Sequence, residues 1–494
     1  MFHTKLIMSK LWTLVTNRLR YGKTAFKAAF AMLSIIGLSI HANATQNLSK
    51  QVAIDWNEVM LRMEPNPNFI EHSRLGAMFE LAIHDALNSI PDVKRYHTYF
   101  SAPLGVDGTG ASAVAAVAAA GKEVALSYIT DLLNRCKIDR KTFVTRKRVI
   151  DTQYKATMAS VADQSAKDIG ITLGQAAGVR MLKDRANDGW DPYGPPFGPP
   201  CNLPFPPAFP YANIHEPPAL PLGAYSIEYP SFGGAIFTNP IRYWWGNLRP
   251  FALESNDQFR IEAPPAPDDE DFLQDLDRTR RVGVDAEHNT ERTQEQSDQA
   301  QWWQSCDGTG YGAVSKILTG LIARDSEMDL VDASHALALM TMSMADGLIS
   351  NINNKNVYNF WRPITAIRKL GYDANWAPFL PTPPNQEYPA GHPMVSGGAG
   401  LGIVKLIFKD RDTGLDKTLD PELVVMGFQA SSVQTPFCNN SVRSFSSIDN
   451  AIDSVIMARV YGGMHFLHSG KIGEQTGRHL AEWIYNHFLL PLDN

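Results

Sequence analysis

The stretch Asp329–Asn351, DLVDASHALALMTMSMADGLISN, spaces Leu337, Leu339, Met340, Met342, Met344 and Leu348 so that a helix built from it is apolar on almost every side. Surface helices keep one polar face, so a helix without one belongs in the middle of a bundle. The segments on either side read the same way. Val52–Met63 and Phe69–Ile90 carry apolar residues at helical spacing, an Ala/Val-rich run covers Ala111–Leu132, and residues 280–304 predict a polar helix. Ser446 and Asp449 resemble a capping pair ahead of a helix bearing Val455, Ile456 and Arg459. Leu480, Trp483, Ile484 and Phe488 mark the inner face of a last helix. No period-2 strand stands out in the N-terminal half, and no glycine fingerprint for a nucleotide or internal repeat is visible. The expected fold class is therefore all-α, built from helical bundles.

Between Trp190 and Gly223 the chain changes character, with Pro192, Pro195, Pro196, Pro199, Pro200, Pro204, Pro206 and Pro207 among its residues. Proline lacks a backbone donor and fixes φ, so this stretch predicts an extended loop. Its aromatic content suits a segment that wraps over helices inside one domain better than a linker between two. At the N-terminus, Lys5, Lys10, Arg18, Arg20, Lys23 and Lys27 precede the apolar run Ala28–Ile40 and then Ala42, Asn43 and Ala44. This order reads as a secretory signal cleaved after Ala44, with Met8 an alternative start, and the run is short of the roughly 20 residues a spanning helix needs. The expected organisation is a signal peptide over residues 1–44 and one helical domain over 45–494, interrupted by the Pro-rich irregular segment 190–223.

With 494 residues, 44% of them hydrophobic, the chain can bury a large core. A net charge of only -6, with both signs interspersed, excludes a broad nucleic-acid surface, so any anion site must be local. Export permits disulfides among Cys136, Cys201, Cys306 and Cys438, which form no metal-binding spacing. Their pairing is open, and free thiols are an alternative.

Three segments hold most of the unusual polar residues of the C-terminal half. They run from Lys355 to Pro363 (KNVYNFWRP), from Tyr388 to His392 (YPAGH) and from Arg459 to His465 (RVYGGMH). A multiply charged tetrahedral oxyanion needs cations that do not titrate near neutral pH, and guanidinium groups bind two of its oxygens at once. Arg362 and Arg459 fit that task, Lys355 adds a compact charge, and Gly391 lets a backbone N–H approach an oxygen. His392 and His465 supply a proton donor and a nucleophile or metal ligand. Each also has an ordinary reading: Lys355 as a solvated helix end, Arg459 as a structural ion pair, His465 as a hydrogen-bonded core histidine. Asp346, inside the apolar helix, needs a partner that Lys355 or Arg459 could supply, with Glu295 and Asp298 competing for that role; a helix-to-helix hydrogen bond is equally open.

In their order and spacing, KX6RP, PxGH and RX5H resemble the signature shared by vanadium-dependent haloperoxidases and the type 2 phosphatidic acid phosphatase superfamily. Phe360–Arg368 and Tyr461–Phe466 resemble the haloperoxidase branch in particular, and Trp56, Asn57 and His84–Asn88 do so more loosely. The resemblance covers much of residues 52–490. It implies a helical fold of two four-helix bundles, in which Lys355, Arg362, Arg459 and the Gly391 N–H hold the oxyanion. His465 would be the vanadium ligand, or the phosphorylated nucleophile of a phosphatase, and His392 the acid/base.

This chain departs from the family pattern at four places. Ala390 stands where Ser is usual before Gly-His, removing one hydroxyl donor worth about 1 kcal/mol. Ala458 replaces a Ser before the third-segment arginine. Ser469 stands four residues past the second histidine, where many members have an Asp that orients the ring. Asn385 occupies the place, seven before the acid/base histidine, where chloroperoxidases carry an aromatic residue and bromoperoxidases a histidine, so halide preference is not legible.

The expectation is an exported vanadium-dependent haloperoxidase whose cofactor is vanadate, with phosphate able to occupy the same site. Its substrates would be hydrogen peroxide, halide and an organic acceptor. No nucleic-acid partner and no membrane span after signal cleavage are expected, and a helical bundle of this size could form a homo-oligomer. The alternatives are an acid phosphatase acting on phosphomonoesters through His465 and a non-catalytic oxyanion-binding protein.

Overall fold

A computed structural model describes residues 48–63, 69–190, 222–225, 243–305, 310–409, 423–425 and 443–492. The signal-peptide reading of residues 1–44, nearly all of the Pro-rich segment, and Cys201, Cys306 and Cys438 fall outside the described residues. Cys136 is in a disulfide.

The chain is helical almost throughout the described residues. Helices α1 (Gln51–Leu61), α2 (Phe69–Asn88), α3 (Ala113–Asn134), α4 (Arg140–Ala159) and α5 (Gln164–Asp184) form the N-terminal group. It is followed by α6 (Glu270–Val282), α7 (Gln294–Ser305), α8 (Tyr311–Arg324), α9 (Leu330–Tyr358) and α10 (Pro363–Lys369). A π-helical stretch, Pro393–Leu401, then runs into α11 (Gly402–Lys409). Last come α12 (Ile448–Tyr461) and α13 (Leu467–His487). The described strands β1 (Leu423–Val425) and β2 (Arg443–Phe445) form one small antiparallel pair.

The Ala-rich α3 sits at the centre of the first group, packed against α2, α4 and α5. Its small side chains let α5 approach so closely that a Cβ on Gly174 would lie 2.2 Å from the Ala116 carbonyl. Among the described residues α3 alone is long and apolar enough to cross a membrane, and it spends that character on the core, where most of it is buried. A second group surrounds the π-helical stretch, which contacts α9, α12 and α13. The apolar helix α9 also packs against α2, so it belongs to both groups, as its lack of a polar face predicts.

Several boundaries differ from the sequence reading. Residues 280–304 form the end of α6, a loop, and nearly all of α7. The helix carrying Arg459 is capped by Ser447, whose side chain accepts from the Asn450 N–H, rather than by Ser446. The polar α4 and the Gly-containing α5 carry weak periodicity and were not anticipated, nor was α8. On the last helix Leu480 and Ile484 are fully buried, while Trp483 and Phe488 pack at its margin.

Candidate functional site

Each of the three segments lies where a helix begins or ends. Lys355 is in the last turn of α9, which stops at Asn359 in the left-handed region (φ 44°), and α10 restarts with Pro363 at its first position. Arg362 therefore sits on extended backbone (φ -81°, ψ 157°) between the two helices, and its side chain is buried. Residues 223 and 225 clamp this junction through Trp361 N–H to Gly223 O (2.9 Å) and Tyr225 N–H to Asn359 O (2.7 Å). His392 opens the π-helical stretch, and the preceding loop is fixed by Ala390 N–H to Ser469 O (3.2 Å) and Asn351 Nδ2 to Pro389 O (3.1 Å). Arg459 ends α12. The chain then reverses at Gly463, whose φ of +73° and closeness to the Gly283 carbonyl exclude a Cβ, and delivers His465 just before α13.

These turns bring the polar side chains together. Arg362 Nη1 donates to His465 Nε2 at 2.8 Å and to the Met464 carbonyl at 2.8 Å. Its Nε donates to the Asn385 carbonyl (2.8 Å) and its Nη2 to Asn385 Oδ1 (2.5 Å). Lys355 Nζ donates to the carbonyls of Gln386 and Glu387, the latter at 2.9 Å. Arg459 Nη1 donates to Gln304 Oε1 (2.6 Å), and Nη2 reaches only the Met464 thioether (3.2 Å), a weak acceptor. Its Nε is buried with no hydrogen-bond partner among the described residues. Gly391 lies beside Asn351, whose Oδ1 would be 3.4 Å from an added Cβ.

Lys355, Arg362 and Arg459 are all buried, at 3%, 2% and 1% exposure. Burial is the largest effect on each: it carries the Lys355 ammonium well below its ordinary value, Arg362 down to about 10 and Arg459 down to about 9. Repulsion by Arg362 adds to the shift of both Lys355 and Arg459. Glu387 opposes the shift at Lys355 and Arg362, but among the described residues Arg459 meets no carboxylate. Both imidazoles are likewise pushed well below their ordinary value, first by burial and then by these three cations. The His392 ring hydrogen-bonds to the Trp303 backbone on α7.

Four contributors were not anticipated from sequence: Glu387, Asn385, Gln304 and Trp303. Glu387 is fully buried, and burial raises its carboxyl to about 7. Its Oε1 accepts from His465 Nδ1 at 2.8 Å and from the Phe466 N–H at 3.1 Å. The available signal was position: Glu387 is a carboxylate five residues ahead of His392 in the segment that carries it. The carboxylates weighed from sequence lie elsewhere. Asp346 accepts the N–H groups of Phe251 (2.7 Å), Ala252 (2.6 Å) and Leu253 (3.0 Å) and partners neither Lys355 nor Arg459. Glu295 pairs with Arg443, and Asp298 accepts from Gln294.

Residues 335–494, which contain all six residues named from the motifs, match the family model described as the VCPO second helical-bundle domain. By sequence the chain matches no curated protein. Its fold is similar to that of the first bacterial vanadium-dependent iodoperoxidase, with a TM-score of 0.64 at 19% identity over 91% of this chain and 99% of that one. It is also similar to a bacterial vanadium-dependent chloroperoxidase. The apo form gives a TM-score of 0.58 at 14% identity over 86% of this chain and 96% of that one. The holo form gives 0.58 at 15% identity over 85% and 92%. The family that the three segments resemble, the vanadium-dependent haloperoxidases, is thus the family whose second-bundle model and whose solved folds this chain matches.

Proposed function

We propose that this chain is an exported vanadium-dependent haloperoxidase that holds vanadate among Lys355, Arg362, Arg459, the Gly391 N–H, His392 and His465 and uses hydrogen peroxide to oxidise halide. One observation carries the reading. Among the described residues three cations are buried together with no carboxylate hydrogen-bonded to any of them, and one of them, Arg459, keeps an unpartnered Nε and feels no counter-ion there. Buried charge is tolerated when it is compensated, and a small multiply charged oxyanion compensates this cluster.

Bound vanadate would supply a Lewis-acid centre that activates hydrogen peroxide toward attack by halide. The residues divide the remaining work. Lys355, Arg362 and Arg459 bind the oxyanion's oxygens by charge and by N–H donation. His465 carries its lone pair on Nε2, the nitrogen that receives the Arg362 N–H, so Nε2 is the atom suited to ligation. Burial and the three cations oppose protonation of His392, and the negative charge of a bound oxyanion would offset those cations, so that its ring could then accept a proton from peroxide at the site.

A phosphatase acting through a phosphohistidine at His465 is the second reading. Ser469 in place of the family's aspartate counts against it, but the Glu387 contact to Nδ1 supplies the ring-orienting carboxylate such a route needs.

Purified protein incubated with orthovanadate, bromide, hydrogen peroxide and a phenolic dye tests the proposal, beside a parallel assay with a chromogenic phosphate ester. Dye bromination that requires vanadate and is lost in His465→Ala is the expected result. Ester hydrolysis inhibited by vanadate supports the second reading, and silence in both assays leaves an oxyanion-binding protein without catalysis.

A further inference from the structure

The carboxylate that the family resemblance expects at position 469 is absent, yet His465 does not lack one. Glu387 reaches it from the loop ahead of His392 rather than from α13. That loop is anchored by Glu387 N–H to Phe360 O (3.0 Å) and by Lys355 Nζ to the Glu387 carbonyl (2.9 Å). The same Oε1 that takes Nδ1 of His465 also takes the backbone N–H of Phe466, the next residue, so the carboxyl is fixed relative to the peptide that bears the ring.

The two contacts of the ring assign its proton. Arg362 Nη1 can only donate, so Nε2 is the acceptor, and Nδ1 carries the hydrogen given to Glu387. The neighbour at 469 is consistent with this. The Ser469 hydroxyl lies beside the Glu387 carboxyl and favours its ionised form, although its buried Oγ makes no well-formed hydrogen bond. An aspartate there would set a second carboxylate against the first, so serine is what leaves room for Glu387.

We propose that Glu387 is the positioning residue for His465, a carboxylate relocated from α13 to the loop before His392, and that its task is to hold the ring with Nε2 directed at the oxyanion. The inference rests on the oxyanion-site reading of His465. Positioning and plain charge make opposite demands on Glu387. A negative charge beside three cations weakens the binding of any anion, whereas ring orientation strengthens only an anion that takes a nitrogen ligand.

Equilibrium affinities for orthovanadate, which accepts a nitrogen ligand, and for inorganic phosphate, held by charge and hydrogen bonds, separate the two. In Glu387→Ala the ratio of vanadate to phosphate affinity falls about 10- to 100-fold, the range for losing a partner of a metal-ligating histidine. Phosphate affinity holds or rises. Adding Ser469→Asp to that variant restores the ratio to within about threefold, because an orienting carboxylate returns from α13. Nitrogen-15 spectra of the His465 ring in anion-free wild type show Nδ1 protonated and Nε2 bare. Vanadate and phosphate affinities that move together in Glu387→Ala, or a ring with Nε2 protonated in wild type, overturn the proposal. The ring spectrum decides the matter even if Glu387→Ala does not fold. Wild-type protein that binds neither anion overturns the oxyanion reading instead.

Discussion

Replacing Arg459 by methionine should make the protein more stable and worse at binding oxyanions, two effects that a structural arginine would not combine. Burial and the nearby Arg362 lower the Arg459 guanidinium from 12.5 to about 9. At about 1.4 kcal/mol per pKa unit, keeping it charged without an anion costs on the order of 5 kcal/mol. Methionine, similar in reach, removes that cost. It also loses the charged hydrogen bond to Gln304, worth about 1.5–3 kcal/mol. The net expectation is a gain of about 2–3.5 kcal/mol, within the range seen when buried charges give way to apolar side chains. The same substitution removes the Nε donor and the charge from the site, so orthovanadate and phosphate bind about 10- to 100-fold more weakly. Thermal unfolding in anion-free buffer and again with saturating phosphate reads both. Wild type gains stability on adding phosphate as its affinity dictates, and Arg459→Met, already more stable, gains far less. A variant less stable than wild type without anion, with unchanged vanadate affinity, would make Arg459 a structural strut and refute the reasoning.

Gly477→Ala would place a Cβ 2.1 Å from the Met394 carbonyl and 2.7 Å from the Ala399 nitrogen, where α13 crosses the π-helical stretch. It should lower stability by about 3 kcal/mol or more and, by displacing the stretch that His392 opens, weaken vanadate binding; calorimetry and titration check both. Asn385→Ala removes the Oδ1 contact that holds Arg362 Nη2, so oxyanion affinity should fall about 5- to 10-fold while the fold is kept, as a titration would show. Glu80 is buried against Asn57 and raised to about 8, so its proton is held in the fold at pH values where the unfolded chain has released it. The contribution of Glu80 to stability therefore falls as pH rises from about 4.5 through about 8, and Glu80→Gln should change the slope of stability against pH by about 1.4 kcal/mol per pH unit in that window, measured by denaturant unfolding of variant and wild type. His72 and His84, lowered to about 4 by burial, act at the acid end: both stay neutral in the fold, and stability is lost as pH drops from about 6.5 through 4.

The gathering of Lys355, Arg362, Arg459, His392 and His465 was legible as a candidate because they fall in three short segments whose order and spacing are unusual. The all-α fold was legible from α9, since no sheet accommodates a helix-length run without a polar side. Glu387 was not legible as a partner of His465: the contact joins residues 78 positions apart, and a lone Glu before Tyr388 carries no pattern of its own. Asp346 misled for a related reason. Its needs are met by three successive backbone N–H groups at 251–253, and donors of that kind leave no trace in residue type. Helix α4 escaped because only Arg146, Ile150, Thr157 and Met158 are buried on it, too few apolar positions to set a period. At α12 the competing serines at 446 and 447 are both acceptable caps, and only backbone geometry selects the second.

The central claim is that the buried cations and His465 form one receptor for vanadate. Crystals soaked in orthovanadate, with diffraction collected at the vanadium edge, test it directly. The account predicts a single anomalous peak against Nε2 of His465, enclosed by Lys355, Arg362 and Arg459. A well-ordered structure with no vanadium there, or with vanadium bound at a different place, would contradict it.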